Sequence, residues 1–197
     1  MPGFGIPGIG SLRSGGILCF GDSLTEGYGV GHDESYPYFL QQRLREQGHS
    51  LRVINAGISG ETTGDALQRL KKAIRTQPDF AIIALGANDA FLGVPHAIME
   101  GNLAEIIVAF QQAGSRVILG GLAIPAIFGV RDPQQFAAIF PQLAMRYGIA
   151  LVPDFLAGVP GQRRYNLLDG FHPNGAGYAL IMENVWSVLQ PLLPVPS

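Results

Sequence analysis

Ser23 lies in Phe20-Gly21-Asp22-Ser23-Leu24, directly after the apolar stretch Gly16-Ile17-Leu18-Cys19-Phe20. Near the other end of the chain, Asp169-Gly170-Phe171-His172-Pro173 sets a carboxylate and an imidazole three residues apart in a Gly- and Pro-bounded segment. A serine hydroxyl is a poor nucleophile until a base takes its proton, and the base works best when an acid fixes its tautomer. Ser23, His172 and Asp169 are the three parts that such chemistry needs, and together they read as a serine hydrolase.

Each block also has a plainer reading. A Gly-Asp-Ser triplet makes an ordinary turn, and Thr25 stands where a G-x-S-x-G elbow has its second glycine. Asp169–His172 is equally a loop with a helix cap at Asn174, or half a metal site. The chain has no H-E-x-x-H or C-x-x-C partner, so no metal is expected. His32, His49 and His96 lack a carboxylate at a strand end and read as surface residues. A tetrahedral intermediate needs donors for its oxyanion. Asn88, in Leu85-Gly86-Ala87-Asn88-Asp89, offers a side-chain NH₂. Gly60, in Asn55-Ala56-Gly57-Ile58-Ser59-Gly60-Glu61-Thr62, offers a backbone N–H where a side chain would obstruct a ligand, and otherwise reads as a turn glycine. Gly27-Tyr28-Gly29-Val30-Gly31 lacks both the G-x-G-x-x-G spacing and the P-loop lysine, so no phosphate loop is expected there.

These residues need a scaffold that brings distant segments to one place. Strand-length apolar runs fall at Ile17–Phe20, Leu51–Asn55, Phe80–Leu85, Arg116–Leu119 and Ala150–Val152, each mostly apolar throughout, as in strands covered on both faces. Helical patterns separate them around Tyr36–Gln47, Gly64–Thr76, His96–Ala113 and Pro133–Tyr147, with a last one at Gly175–Leu189. Thr63 is the expected N-cap of the second helix. Ala179, Met182, Trp186 and Leu189 form an apolar stripe on the last, read as core. Such alternation predicts an α/β fold with three αβα layers around an open parallel five-stranded sheet of flavodoxin-like order 2-1-3-4-5. Ligands bind beyond the carboxyl ends of such strands, and Ser23, Gly57–Gly60, Asn88 and Asp169–His172 all follow strands at that edge.

Only 14% of the 197 residues are charged, against ~25% in a typical protein, which describes one well-packed domain. It is expected over residues 16–197, after a flexible Gly- and Pro-rich extension over residues 1–15. The net charge of -2, with no basic stripe, argues against nucleic acid as a partner. The single cysteine, Cys19, excludes an intrachain disulfide and reads as a buried thiol. No run reaches the ~18 apolar residues of a membrane span, since Val117–Val130 is interrupted by Gly120, Gly121 and Pro125. The first residues show no signal-peptide core, so the compartment stays open: cytoplasmic, or periplasmic or secreted if a signal was removed.

The four blocks, in this order, resemble those of the SGNH (GDSL) hydrolases, most closely the thioesterase I / arylesterase / lysophospholipase branch. They are Gly-Asp-Ser-Leu at 21–24, Asn-Ala-Gly-Ile-Ser-Gly-Glu-Thr-Thr at 55–63, Gly-Ala-Asn-Asp at 86–89 and Asp-Gly-Phe-His-Pro at 169–173. The resemblance spans about residues 16 to 190. It implies Ser23 as nucleophile, His172 as base, Asp169 as orienting acid, and the Ser23 N–H, Gly60 and Asn88 as oxyanion donors. No cofactor is implied. The branch often carries glycine where this chain has Ala87, and the added methyl is expected to narrow the site. The resemblance implies hydrolysis of carboxylic esters and thioesters through an acyl-serine; short to medium acyl or aryl groups are expected from the size of two candidate rim segments, and a monomer is expected. Ala90–Val94 and Leu122–Phe128 follow the third and fourth strands. Within them Phe91, Leu92, Ile124, Pro125, Ala126 and Phe128 are expected to touch the acyl or aryl group, the alternative being ordinary loop packing. A carbohydrate O-deacetylase and a non-catalytic ligand-binding domain of flavodoxin-like shape remain competing readings.

Overall fold

The structure, a computed structural model, describes residues 16–196. The extension expected over residues 1–15 lies outside the described residues, as does Ser197. Five parallel strands form one sheet in the order β2-β1-β3-β4-β5: β1 Ile17–Gly21, β2 Val53–Gly57, β3 Phe80–Ala84, β4 Arg116–Gly120 and β5 Ala150–Val152. This is the expected topology. The helices are α1 Ser23–Glu26, α2 Tyr36–Glu46, α3 Thr63–Ile74, α4 Ala87–Leu92, α5 His96–Gln112, α6 Pro133–Tyr147 and α7 Gly175–Leu189. The helices α3, α5 and α6 pack side by side as one layer, and α2 packs against α7 as the other.

The central strands are apolar because both their faces are covered: every residue of β1 and β3 is buried. Phe20, Leu18, Phe80 and Ile82 lie in one continuous core with Tyr36, Leu40, Phe110, Phe140 and Tyr178. Each such aliphatic or aromatic side chain contributes about 1.5–3 kcal/mol by leaving water. Cys19 belongs to this core, and burial pushes its thiol up to about 12, so it stays protonated and inert. Among the described residues no helix is long and apolar enough to cross a membrane.

Register is what the site takes from this sheet. Gly21 pairs with Gly57 on one side and with Ala84 on the other. Three neighbouring strands therefore end level, and the segments leaving them begin at the same height.

The second strand lies two residues further along than Leu51–Asn55. Leu51 gives its carbonyl to the Gln41 amide, and Arg52 gives its own to the Ile17 N–H, so the ladder starts at Val53 and runs on through polar Asn55. The edge position of β2 tolerates that half-exposed, polar end. The cap of α3 is Thr62 rather than Thr63: its hydroxyl accepts from the Asp65 N–H while the Asp65 carboxylate accepts from the Thr62 N–H, a capping box. The Ala90–Val94 segment is not a plain loop either, since its first part belongs to α4, closed by Gly93 at φ +71°.

Candidate active site

The turn after β1 is built around a glycine that nothing else can replace. A Cβ on Gly21 would lie 2.1 Å from Thr25 Oγ1 and 2.6 Å from the Ala84 carbonyl oxygen. The Asp22 side chain then accepts from the Leu24 N–H at 3.0 Å and starts α1, whose first residue is Ser23. The Ser23 carbonyl accepts from the buried Tyr178 hydroxyl of α7 at 3.1 Å, a second tether on the same turn.

His172 meets this serine directly. Its Nε2 lies 3.1 Å from Ser23 Oγ, and its Nδ1 lies 2.6 Å from Asp169 Oδ2. A carboxylate only accepts, so Nδ1 carries the proton and the Nε2 lone pair faces the serine oxygen. Asp169 also accepts from the N–H groups of Phe171 and His172, each at 2.9 Å. Burial alone would push its carboxyl up. The hydrogen bonds from the His172 ring and these two N–H groups, with attraction to the imidazole, outweigh burial and hold it below the usual carboxylate range. The loop is pinned from behind. The Leu167 N–H donates to the His172 carbonyl at 2.8 Å, the Asn166 amide donates to the Phe171 carbonyl at 3.1 Å, and Asn174 caps α7 through the Gly177 N–H. The Tyr28 ring rests 4.6 Å from the imidazole and Phe171 meets it edge-on at 5.3 Å.

After β2 the chain turns at Ile58–Glu61, closed by the Glu61 N–H on the Ile58 carbonyl at 3.3 Å. Gly60 sits at φ +82°, and a Cβ there would meet nothing within 4 Å. Glycine is thus required at this position by backbone conformation, while the space beside it stays open. After β3, Asn88 on α4 donates to the Glu61 carbonyl at 2.8 Å and reaches Asp22 Oδ2 at 3.4 Å. Among the described residues neither the Ser23 N–H nor the Gly60 N–H has an acceptor. Ala87 is 2% exposed and joins the core, so its methyl does not narrow the site as expected. Asp22 is fully buried, and desolvation pushes its carboxyl up to about 7, with Asp89 and Glu61 nearby adding to the rise against the Leu24 N–H.

Of the residues expected to touch substrate, Phe91 and Phe128 both stand edge-on to Phe171, at 5.0 Å and 5.3 Å, so two rim segments converge beside His172. Leu92, Pro125 and Ala126 are exposed. Ile124 does not line the rim as expected: it is 1% exposed, and this aliphatic side chain packs in the core. The exposed aliphatic of that segment is Ile127, and Leu168 next to Asp169 is fully exposed. His32, His49 and His96 do not join the site; His96 bonds Gln135 instead. Sequence reasoning missed Tyr28, Phe171 and Tyr178 as neighbours of the site. Only the position of Phe171 between Asp169 and His172 gave any hint.

The model of the GDSL-like Lipase/Acylhydrolase family matches residues 19–180. Esterase TesA of Pseudomonas aeruginosa is 35% identical over 178 residues, covering 90% of this chain and 89% of its own. Thioesterase 1/protease 1/lysophospholipase L1 of Escherichia coli K12 is 31% identical over 178 residues, covering 90% of this chain and 84% of its own. A crystal structure of TesA superposes with a TM-score of 0.86 at 35% identity, covering 90% of this chain and 99% of that one.

Proposed function

The chain belongs to the GDSL-like lipase/acylhydrolase family and is a carboxylic ester hydrolase, and from that premise we propose that Ser23, His172 and Asp169 perform the hydrolysis. His172 Nε2 takes the Ser23 proton as the serine oxygen attacks the ester carbonyl, and Asp169 steadies the imidazolium that forms. The tetrahedral oxyanion is received by the N–H groups of Ser23 and Gly60 and by the Asn88 amide. The Asn88 amide keeps one hydrogen on the Glu61 carbonyl, with Nδ2 at 2.8 Å, and turns the other from its long hydrogen bond to Asp22 Oδ2, at 3.4 Å, toward the oxyanion. The imidazolium protonates the leaving alcohol or thiol, and water releases the acid from acyl-Ser23 by the same steps.

The observation that carries this reading is the continuous chain Ser23 Oγ to His172 Nε2 at 3.1 Å and His172 Nδ1 to Asp169 at 2.6 Å. We further propose residues 16–197 as one catalytic domain and a monomer as the working unit, since every group invoked comes from one chain. The Phe91–Phe171–Phe128 wall beside the base favours short to medium acyl or aryl groups, as esters or thioesters, over the polar sugar contacts of an O-deacetylase. The test is reaction with a fluorophosphonate followed by mass mapping. The label is expected on Ser23, and Ser23→Ala is expected to fold, remain unlabelled and lose turnover on p-nitrophenyl butyrate. Near wild-type turnover of that variant would overturn the assignment.

A further inference from the structure

The three proposed oxyanion donors come from three separate segments: the turn after β1, the Ile58–Glu61 turn and α4. An oxyanion hole works only if its donors are held in place before the charge develops. The middle segment has little apolar packing to hold it, since Ile58, Ser59 and Gly60 are all exposed. Its place is set by polar ties. Glu26 binds the Ser59 N–H and hydroxyl from α1, and Arg69 binds Glu61 from α3.

Arg69 does more than close that one turn. Its Nε is shared between the two Glu61 carboxylate oxygens at 2.8 Å and 2.7 Å, and its Nη2 donates to the Gly21 carbonyl at 3.0 Å. The guanidinium carbon lies 4.1 Å from the centre of the buried Phe20 ring. Gly21 is two residues before Ser23. Glu61 follows Gly60, and its own carbonyl holds the Asn88 amide at 2.8 Å. One planar cation therefore touches the residue or segment that sets each of the three donors.

We infer that Arg69, with Glu61, is the positioning pair of the oxyanion hole, fixing the Ser23, Gly60 and Asn88 donors in one mutual geometry without touching the reacting atoms. The inference rests on the reading of Gly60 and Asn88 as oxyanion donors. The pair is mostly buried, with side chains 17% and 13% exposed, so it is not a solvent-screened surface bridge. A lysine is a point charge on a flexible stem and cannot serve a carboxylate and a carbonyl with one planar fork while stacked on a ring.

The experiment compares Arg69→Met, Arg69→Lys, Asn88→Ala and the Arg69→Met/Asn88→Ala double variant, measuring kcat and KM on p-nitrophenyl butyrate well below each melting temperature. Deleting one oxyanion donor costs ~100- to 1000-fold in kcat. Misplacing the donors should cost part of that, so Arg69→Met is expected to lose about 10- to 100-fold in kcat with KM changed by less than about 3-fold. Arg69→Lys should recover only part of the loss. In the Asn88→Ala background the Arg69→Met loss should shrink to a few-fold, because a group it positions is gone. Full additivity in the double variant, a KM effect with kcat intact, or a loss matching the unfolded fraction each overturns the inference. If Arg69→Met does not fold, Glu61→Gln is read by the same criteria. An Asn88→Ala enzyme with undiminished kcat would sink the oxyanion reading itself, whereas an impaired Asn88→Ala beside an unimpaired Arg69→Met sinks only the role of Arg69.

Discussion

The hydroxyl of Tyr178 donates to the carbonyl oxygen of Ser23 at 3.1 Å and reaches the Tyr28 carbonyl at 3.4 Å. One buried phenol from α7 thereby tethers the turn that carries Ser23 and the residue whose ring lies against His172. Burial is the largest of the causes that keep this phenol protonated well above its ordinary range, so the donor persists at every working pH. Tyr178→Phe removes it. The expected outcome is a loss of about 1–2 kcal/mol in stability, with kcat lowered more than KM. Thermal denaturation and saturation kinetics on the same preparation check it. An unchanged melting temperature would mean that the tether carries no load.

Asp169→Asn should keep the fold and lose about 10⁴-fold in kcat, the scale seen when a triad carboxylate is neutralised and the imidazole tautomer is freed. In the wild type, Asp169 is held below the usual carboxylate range and stays ionised through mild acidification. Loss of kcat/KM on mild acidification should therefore not come from protonation of Asp169. A pH–rate profile of kcat/KM measures it. Turnover within a few-fold of wild type for Asp169→Asn would remove this residue from the mechanism.

Asp22 titrates in the opposite sense. Its carboxyl is raised to about 7 in the folded protein, against ~3.9 in an unfolded chain. Below ~4 it is neutral in both states. Between ~4 and about 7 the unfolded chain ionises first, so the stability associated with this group falls as pH rises, and above about 7 the deficit is constant. Asp22→Asn keeps an acceptor for the Leu24 N–H and removes the titration. Its melting temperature relative to wild type should climb between about pH 4 and about pH 7. A difference independent of pH would show that the carboxyl does not titrate there.

Phe128→Ala opens one side of the aromatic wall beside His172. Each methylene that loses its apolar contact gives up at most ~0.8 kcal/mol, so selectivity for hexanoate over acetate esters should fall by roughly tenfold while acetate turnover holds. The ratio of kcat/KM along a p-nitrophenyl ester series reads this directly. An unchanged ratio would place the acyl chain elsewhere.

The fold was legible because the central strands are short and apolar throughout and the longer helices are periodic: α6 and α7 begin and end where the pattern does. The edge strand was not, since its ladder continues through Asn55-Ala56-Gly57, where no apolar pattern marks it. Two adjacent threonines hid the α3 cap. Asp65, three residues after Thr62, was the available clue, while the Thr63 hydroxyl is committed to Asp89 instead. In the site, residues named for their reactivity could be read from type and position. Their supports could not. Tyr178 reaches Ser23 across 155 positions, and Arg69 meets Glu61 at a spacing of eight, with Glu61 outside the helix where helical periodicity has no bearing.

His172 lies 149 positions after Ser23, and the tether on the Ser23 turn arrives with α7, later still in the chain. A chain leaving the ribosome thus displays Ser23, the Ile58–Glu61 turn and Asn88 long before it has His172. On the proposed roles of Ser23, His172 and Asp169, hydrolysis waits for the docking of α7 against α2. In a refolding experiment, the return of esterase activity should time that final docking, and should lag any spectroscopic signal of the sheet.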